Sequence, residues 1–216
     1  MKVALIGTTG FVGKAILNEL LSRNHEVLGI ARKPEDVKES NPNLILDSLD
    51  VNDEDALAEG LKNYDAVISA FNAGWTNPNF YDDFIKGSKA IEAGVEKSGV
   101  KRLIVIGGAG SLYVGNVQLV DTPQFPKEYY TGASAARDYL NILKENTVLD
   151  WTFFSPAIEM NPQVSGTRTG KYRIGLENPV FDENSRSVLS VEDLAVAIVD
   201  ELENPKHIKQ RFTAAY

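Results

Sequence analysis

Residues 1–13 read MKVALIGTTGFVG. Four apolar residues, Val3–Ile6, run straight into glycines spaced three apart, Gly7, Gly10 and Gly13, and a helical stripe, Val12, Ile16 and Leu20, follows. A strand, a sharp bend and a helix in that order leave the helix's first N–H groups without partners, facing whatever lies over its start. Glycine permits the bend, the close approach of an anion to backbone, and tight helix–strand contact. The ligand that fits all three needs is a dinucleotide pyrophosphate, and the flanking strand and helix lift the motif above a plain tight turn.

Working outward, short apolar or β-branched runs alternate with helical patterns. Strands are expected at Lys2–Ile6, Glu26–Ala31, Leu44–Asp47, Ala66–Ala70, Leu103–Gly107, Trp151–Ser155 and Arg211–Ala214. The runs VALI, AVISA and LIVIG are almost continuously apolar, as strands are when both sheet faces are covered. Ala136, Tyr139, Leu140 and Leu143 form one helical stripe; Val191, Leu194, Ala195, Ile198, Val199 and Leu202 form another, with Ser190 as its N-cap. The alternation predicts an α/β, doubly wound parallel sheet of the Rossmann type. Residues 156–188 lack a helical pattern and are expected to form a small irregular lobe on the substrate side of a single domain, 1–216. The charged piece Arg32–Glu39 reads as a short solvated helix or loop.

The second strand ends GIARKPE, residues 29–35. An acidic residue there would bind the ribose hydroxyls of NAD; Arg32 and Lys33 occupy the place instead, and a guanidinium pairs with a 2′-phosphate. NADP(H) is therefore expected over NAD(H). Asp50 and Val51 fall after the third strand, where an edge contact to adenine belongs.

Composition narrows the rest. Cysteine is absent, which removes thiol chemistry and cysteine-bound metals. The only histidines, His25 and His207, are far apart in charged settings and are expected at the surface, so no metal site is expected. A net charge of −8 argues against nucleic acid. With no signal peptide and no apolar stretch of membrane-spanning length, a cytoplasmic protein without a membrane partner is expected.

Five stretches together, GTTGFVG (7–13), SAFNAGW (69–75), GGAGSL (107–112), DWTFFSPA (150–157) and GTRTGKYRIG (166–175), resemble the atypical short-chain dehydrogenase/reductases. More narrowly, the chain is similar to their NAD(P)H-binding NADH-flavin reductase group, related to NmrA-like proteins and to biliverdin reductase B. The resemblance implies that Gly7, Thr9, Gly10, Phe11, Val12 and Gly13 hold the pyrophosphate. It places Ala70, Phe71 and Asn72 along the adenosine path and Gly107, Gly108 and Ala109 under the nicotinamide ribose. Ser111, Ser155, Pro156 and Ala157 border the nicotinamide.

Most short-chain dehydrogenases pair a tyrosine with a lysine four residues on, the tyrosine giving its proton to a developing alkoxide. Here KEYYTGASAAR (127–137) puts Ala133 four after Tyr129 and Ser134 four after Tyr130. Reduction of a flavin needs no such pair, because hydride adds to an electron-poor ring and stacking geometry does the catalysis. The expected function is reduction of free FMN, FAD, riboflavin or a similar planar acceptor. Ser111 and Tyr130 are the candidate catalytic residues, and Trp75, Ser111, Tyr129 and Lys171 the acceptor contacts. Phe80, Phe125 and Tyr139 read as packing, and Tyr81 as a further aromatic near the site. QLVDTPQFPKEYY (118–130) reads as a semi-rigid lid. Arg168, Lys171 and Arg173 could meet a flavin phosphate, or equally form a solvated basic hairpin. The alternative from another class is a nucleotide-sensing regulator without turnover, as in NmrA-like proteins. An epimerase or dehydratase would need the missing tyrosine–lysine pair. The expected assembly is a monomer or homodimer.

Overall fold

The structure, a computed structural model, describes residues 1–216. Ten strands and five α-helices follow in chain order: β1 Lys2–Ile6, α1 Phe11–Ser22, β2 Glu26–Ile30, β3 Leu44–Asp47, α2 Glu54–Leu61, β4 Ala66–Ser69, α3 Phe80–Ser98, β5 Arg102–Ile106, β6 Tyr113–Val114, β7 Val117–Gln118, α4 Lys127–Leu143, β8 Asp150–Phe154, β9 Arg173–Gly175, α5 Val191–Glu203 and β10 Gln210–Ala215. Eight strands make one sheet in the order β3-β2-β1-β4-β5-β8-β10-β9. All pairs are parallel except β10 with β9. β6 and β7 form a separate hairpin. This is the α/β Rossmann-like fold, with the strand order reversing between β1 and β4.

Strand alternation sends successive side chains to opposite layers. Val3 and Leu5 of β1 join the core beneath α1 and α5; Ala4 and Ile6 join the core beneath α2, α3 and α4. Helix ends follow local chemistry. The Ser190 side chain accepts from the Asp193 N–H at 3.1 Å and starts α5, Asp53 does the same for α2 through Ala56 N–H at 3.0 Å, and Gly99, at φ 83°, stops α3.

The expected strands all form, with ends displaced by a residue. Arg32–Glu39 carries only a 3-10 turn at Pro34–Asp36. Residues 156–188 hold a 3-10 turn at Pro162–Val164 and the short strand β9, which adds to the main sheet's edge. The surface placement of the histidines is corrected: His25 and His207 are 4% and 8% exposed. Each is drawn in by a carboxylate of the α5 end, His25 Nε2 lying 2.9 Å from Glu203 and His207 Nδ1 2.7 Å from Glu201. Those partners are distant in sequence for His25, so no local pattern announces the burial.

Candidate active site

The carboxyl ends of the strands gather the sequence-selected residues at the point where strand order reverses, the place where open α/β sheets hold ligands. Gly7 adopts φ +89°, and a Cβ there would stand 2.5 Å from the Ala70 carbonyl oxygen. The β1 and β4 loops therefore touch backbone to backbone. A Cβ on Gly13 would lie 2.0 Å from the Gly7 carbonyl oxygen, so this glycine lets α1 press onto its own turn. Gly10 is the N-cap of α1 and has no side chain to satisfy the first N–H groups. It is exposed, as is Phe11, while Thr9 and Val12 are half-buried. Thr8 is fully buried and donates to the Ile30 carbonyl at 3.5 Å. The result is an uncapped, open helix start flanked by glycine.

At the tip of β2, Arg32 and Lys33 are exposed and neither enters an ion pair of the structure. The Ser48 hydroxyl donates to the Arg32 carbonyl at 3.4 Å and ties the ends of β2 and β3 together. Asp50 makes a turn: its Oδ1 accepts from Asn52 N and Nδ2 at 2.9 and 3.0 Å. Those two bonds hold its carboxyl below the usual range, with Lys86 and Arg32 adding smaller effects. Val51 packs on the core.

After β4, Ala70 is half-buried at the rim. The Phe71 ring turns inward, stacking on Phe84 with centroids 5.9 Å apart and covering Gly87. Only its backbone lines the rim. Asn72 Oδ1 accepts from Gly74 N–H at 2.8 Å and shapes the loop. Trp75 then stands 67% exposed, stacked on Phe80 at 5.4 Å, edge-on to Tyr129 at 6.2 Å and over Gly132. Phe80 and Tyr139 are core residues, in keeping with the packing reading.

After β5, Gly107 lies on the Phe153 ring, where a Cβ would come within 2.0 Å. Gly108 and Ala109 are half-buried, and Gly110 abuts Ala133 of α4. Ser111 and Ser155 are fully buried, and their hydroxyls share a hydrogen bond of 2.9 Å. Ser111 also donates to the Gly108 carbonyl at 3.1 Å. Pro156 and Ala157 are buried beside them. Tyr129 and Tyr130, in the first turn of α4, are about half exposed. One turn on stand Ala133, against Gly110, and Ser134, buried with a hydroxyl that has no partner.

The basic residues of 166–175 divide. Arg168 makes two 2.8 Å bonds to Glu19 of α1, and Arg173 donates to the carbonyls of Phe181 and Tyr216. Both have partners within the chain. Lys171 is exposed; the neighbouring Thr169 and Gly170 N–H groups bind Asp193 of α5, and no hydrogen bond or ion pair joins Lys171 to the serine pair or to Trp75. The 118–130 segment is tied down by Arg137, which binds Asp121 at 3.1 Å. A residue that sequence spacing did not single out is Arg211 of β10. It is 3% exposed and donates to the Ser111 carbonyl and to Glu177. Its one sequence signal is a cation beside the mostly apolar run FTAA.

Residues 7–205 match the family model described as NAD(P)H-binding. The chain is 37% identical over 216 residues to the uncharacterized protein YwnB of Bacillus subtilis, covering 99% of this chain and 97% of the relative. A crystal structure from Bacteroides thetaiotaomicron, described as a “putative epimerase”, superposes with a TM-score of 0.92 at 44% identity, over 100% of this chain and 96% of that one. A “putative NADH-flavin reductase” from Streptococcus pneumoniae gives a TM-score of 0.85 at 36% identity, over 100% and 99%.

Proposed function

The chain belongs to the NAD(P)H-binding family, and from that premise we propose that it is an oxidoreductase passing hydride from a bound nicotinamide dinucleotide to free flavin or a similar planar acceptor. The structural residues suit the dinucleotide: an uncapped helix start beside Gly7 and Gly10 offers N–H groups to a pyrophosphate. Arg32 and Lys33 offer unpaired cations to a 2′-phosphate, which favours NADP(H). The half-buried Gly107, Gly108 and Ala109 and the buried Ser155–Pro156 form the floor for the ribose and nicotinamide. The cofactor supplies the hydride. The chain's own part is to hold both rings, exclude water and offer the Ser111 hydroxyl.

The observation that carries the acceptor reading is α4. One turn beyond Tyr129 and Tyr130 it presents Ala133 and Ser134, with no lysine to activate a tyrosine. The same gap speaks against an epimerase, which needs a base at carbon or hydroxyl. What the site does offer is an exposed aromatic shelf, Trp75 with Tyr129, on which a planar ring can stack. A “putative NADH-flavin reductase” among the similar structures supports the reading. No helix is long and apolar enough to cross a membrane, and we place the protein in the cytoplasm as one NAD(P)-binding unit, 1–216, with 156–188 on the acceptor side.

The test is NADPH oxidation with FMN, FAD and riboflavin, with NADH in parallel. Turnover with NADPH supports both the acceptor and the role of Arg32. Tight NADPH binding with no turnover by any flavin or quinone would replace this reading with a cofactor sensor, the second reading, which the missing lysine equally favours.

A further inference from the structure

Arg211 lies opposite Phe153 in the β8–β10 register, so it and Thr213 face the same layer as Phe153 and Ser155. Its guanidinium is fastened on one side: Nη1 donates to the Ser111 carbonyl, and the group lies 5.6 Å over the Tyr113 ring. The other edge of a guanidinium, Nε with Nη2, is a planar fork that matches two oxygens of one anion. Here Nη2 meets Glu177 Oε2 and, at 3.4 Å, the Glu177 carbonyl, while Nε has no partner. The Thr213 hydroxyl, 1% exposed and two residues along the same strand, also has none.

Glu177 is an unusual partner for a buried cation. The Arg211 side chain is 1% exposed, but that of Glu177 is 53% exposed. Its backbone is anchored, since the Glu177 carbonyl accepts from Tyr113 N–H at 2.8 Å and Asn178 Nδ2 donates to the Tyr113 carbonyl at 2.8 Å. The carboxylate alone can therefore swing into water by a rotamer change, without movement of the hairpin. Water then compensates the carboxylate, whereas the buried guanidinium requires another anion. Burial already pulls the Arg211 pKa down, with Glu177 opposing the shift.

We propose that Arg211 is an anion seat beside the serine pair, half filled by Glu177 acting as a displaceable plug, and that it receives a phosphate monoester or carboxylate carried by the acceptor. This deepens the acceptor reading and rests on it for the identity of the ligand. It predicts discrimination among acceptors by charge at a point remote from the reacting ring, in a chain whose net charge of −8 otherwise repels anions.

The first test is independent of turnover. Glu177→Ala, at a half-exposed side chain, is melted in chloride, inorganic phosphate and acetate at matched ionic strength. Phosphate or acetate is expected to raise its melting temperature by about 3–5 °C at ten times the dissociation constant. At the same anion concentration the wild type, its seat contested by Glu177, is expected to rise by only about 1–2 °C, and the double variant with Arg211→Met not at all. The anion that stabilises more identifies the group. Glu177→Gln serves as a second variant in which the plug is uncharged. An equal response of wild type and Glu177→Ala to every anion would overturn the seat. The second test is the ratio of KM for FMN to KM for riboflavin, which is expected to fall about tenfold in Glu177→Ala, as a bidentate charged contact implies. Flavin turnover with an unmoved ratio overturns the seat and leaves the acceptor reading standing. An anion-dependent melt without turnover of any flavin retains the seat and removes the flavin.

Discussion

Gly10→Ala is expected to separate cofactor binding from folding. Gly10 has φ −75° and ψ 165°, angles that any residue adopts. The nearest atom to an added Cβ is the Gly7 carbonyl oxygen at 3.4 Å, an ordinary contact. Alanine is a poorer N-cap than glycine by about 0.5–1 kcal/mol, but it also restricts the unfolded chain and returns about 0.4–1 kcal/mol. These cancel, and the melting temperature should stay within about 3 °C. The methyl group nonetheless occupies the space over the open helix start, where the pyrophosphate must approach backbone. NADPH is then expected to bind at least about tenfold more weakly, a loss of about 1.4 kcal/mol. Gly7→Ala is the contrast. A side chain at φ +89° costs about 1–2 kcal/mol. A Cβ 2.5 Å from the Ala70 backbone adds about 1–3 kcal/mol of overpacking. At about 2–4 °C per kcal/mol for a chain of this size, the melting temperature should drop by about 4–20 °C. Calorimetric titration with NADPH and thermal melts of the two variants decide the matter. Unchanged NADPH affinity in Gly10→Ala would refute the assignment of this turn to the phosphate. A Gly7→Ala protein as stable as wild type would refute the reading of the loop contact.

Arg32→Asp should weaken NADPH binding about tenfold or more and NADH binding much less, as loss of a charged hydrogen bond to the 2′-phosphate implies; equal losses in paired titrations would remove Arg32 from that role. Trp75→Ala should raise the KM for riboflavin about two- to tenfold, the range of an aromatic stack, with little change in melting temperature because the side chain is mostly exposed; an unchanged KM would show that the shelf does not hold the acceptor. Ser111→Ala leaves the buried Ser155 hydroxyl without its partner and should cost about 1–3 kcal/mol by urea unfolding, and a neutral result would mean that the pair contributes nothing. The hydrogen bond from Arg168, aided by Arg23 against the penalty of burial, holds Glu19 below its ordinary 4.5. A carboxyl with a depressed folded pKa stabilises above its unfolded value and loses that contribution as pH falls. Arg168→Met should therefore lower stability at pH 7 by about 1 kcal/mol, Arg168 being half exposed, and narrow its gap to wild type below the carboxylate range. A gap that is constant down to acid pH would contradict that coupling.

The central sheet was legible because VALI, AVISA and LIVIG are buried on both faces, so continuous apolarity is forced on them. The glycine turn was legible because its constraints are local: Gly7, Gly10 and Gly13 answer to atoms within a few residues or to one adjacent loop. Elements stabilised from afar left little trace. β9 is three residues, RIG, and exists because β10 offers its edge; the β6–β7 hairpin is two residues a side. Phe71 was read toward the ligand from the resemblance, yet Gly87, sixteen residues on in α3, gives its ring a slot. Arg168 and Arg173 left a phosphate contact and a solvated hairpin equally open, and neither reading included their partners, Glu19 and the Tyr216 carbonyl, which come from elements that only the fold brings near. The burial of His25 was hidden for the same reason, its partner Glu203 lying far along the chain, whereas His207 has Glu201 only six residues before it. Arg211 sits in a strand buried from its second residue onward, and its partners lie 34 and 100 positions away.

The position of β10 has a bearing on how the chain is made. Synthesis proceeds from β1 onward, and domains fold in that direction as they emerge. β8 and β9 both precede residues 210–215, yet β10 is the strand that joins them. Until it arrives, β8 presents an unpaired edge with Phe154 lacking the Phe212 ring it later meets at 4.8 Å, and β9 has nothing to pair with. An open edge beside apolar surface is the usual template for pairing with a second chain. The nascent protein thus passes through an interval in which six of the eight sheet strands can pair while an apolar edge is bare, and that interval, more than the finished molecule, is where a chaperone would find work.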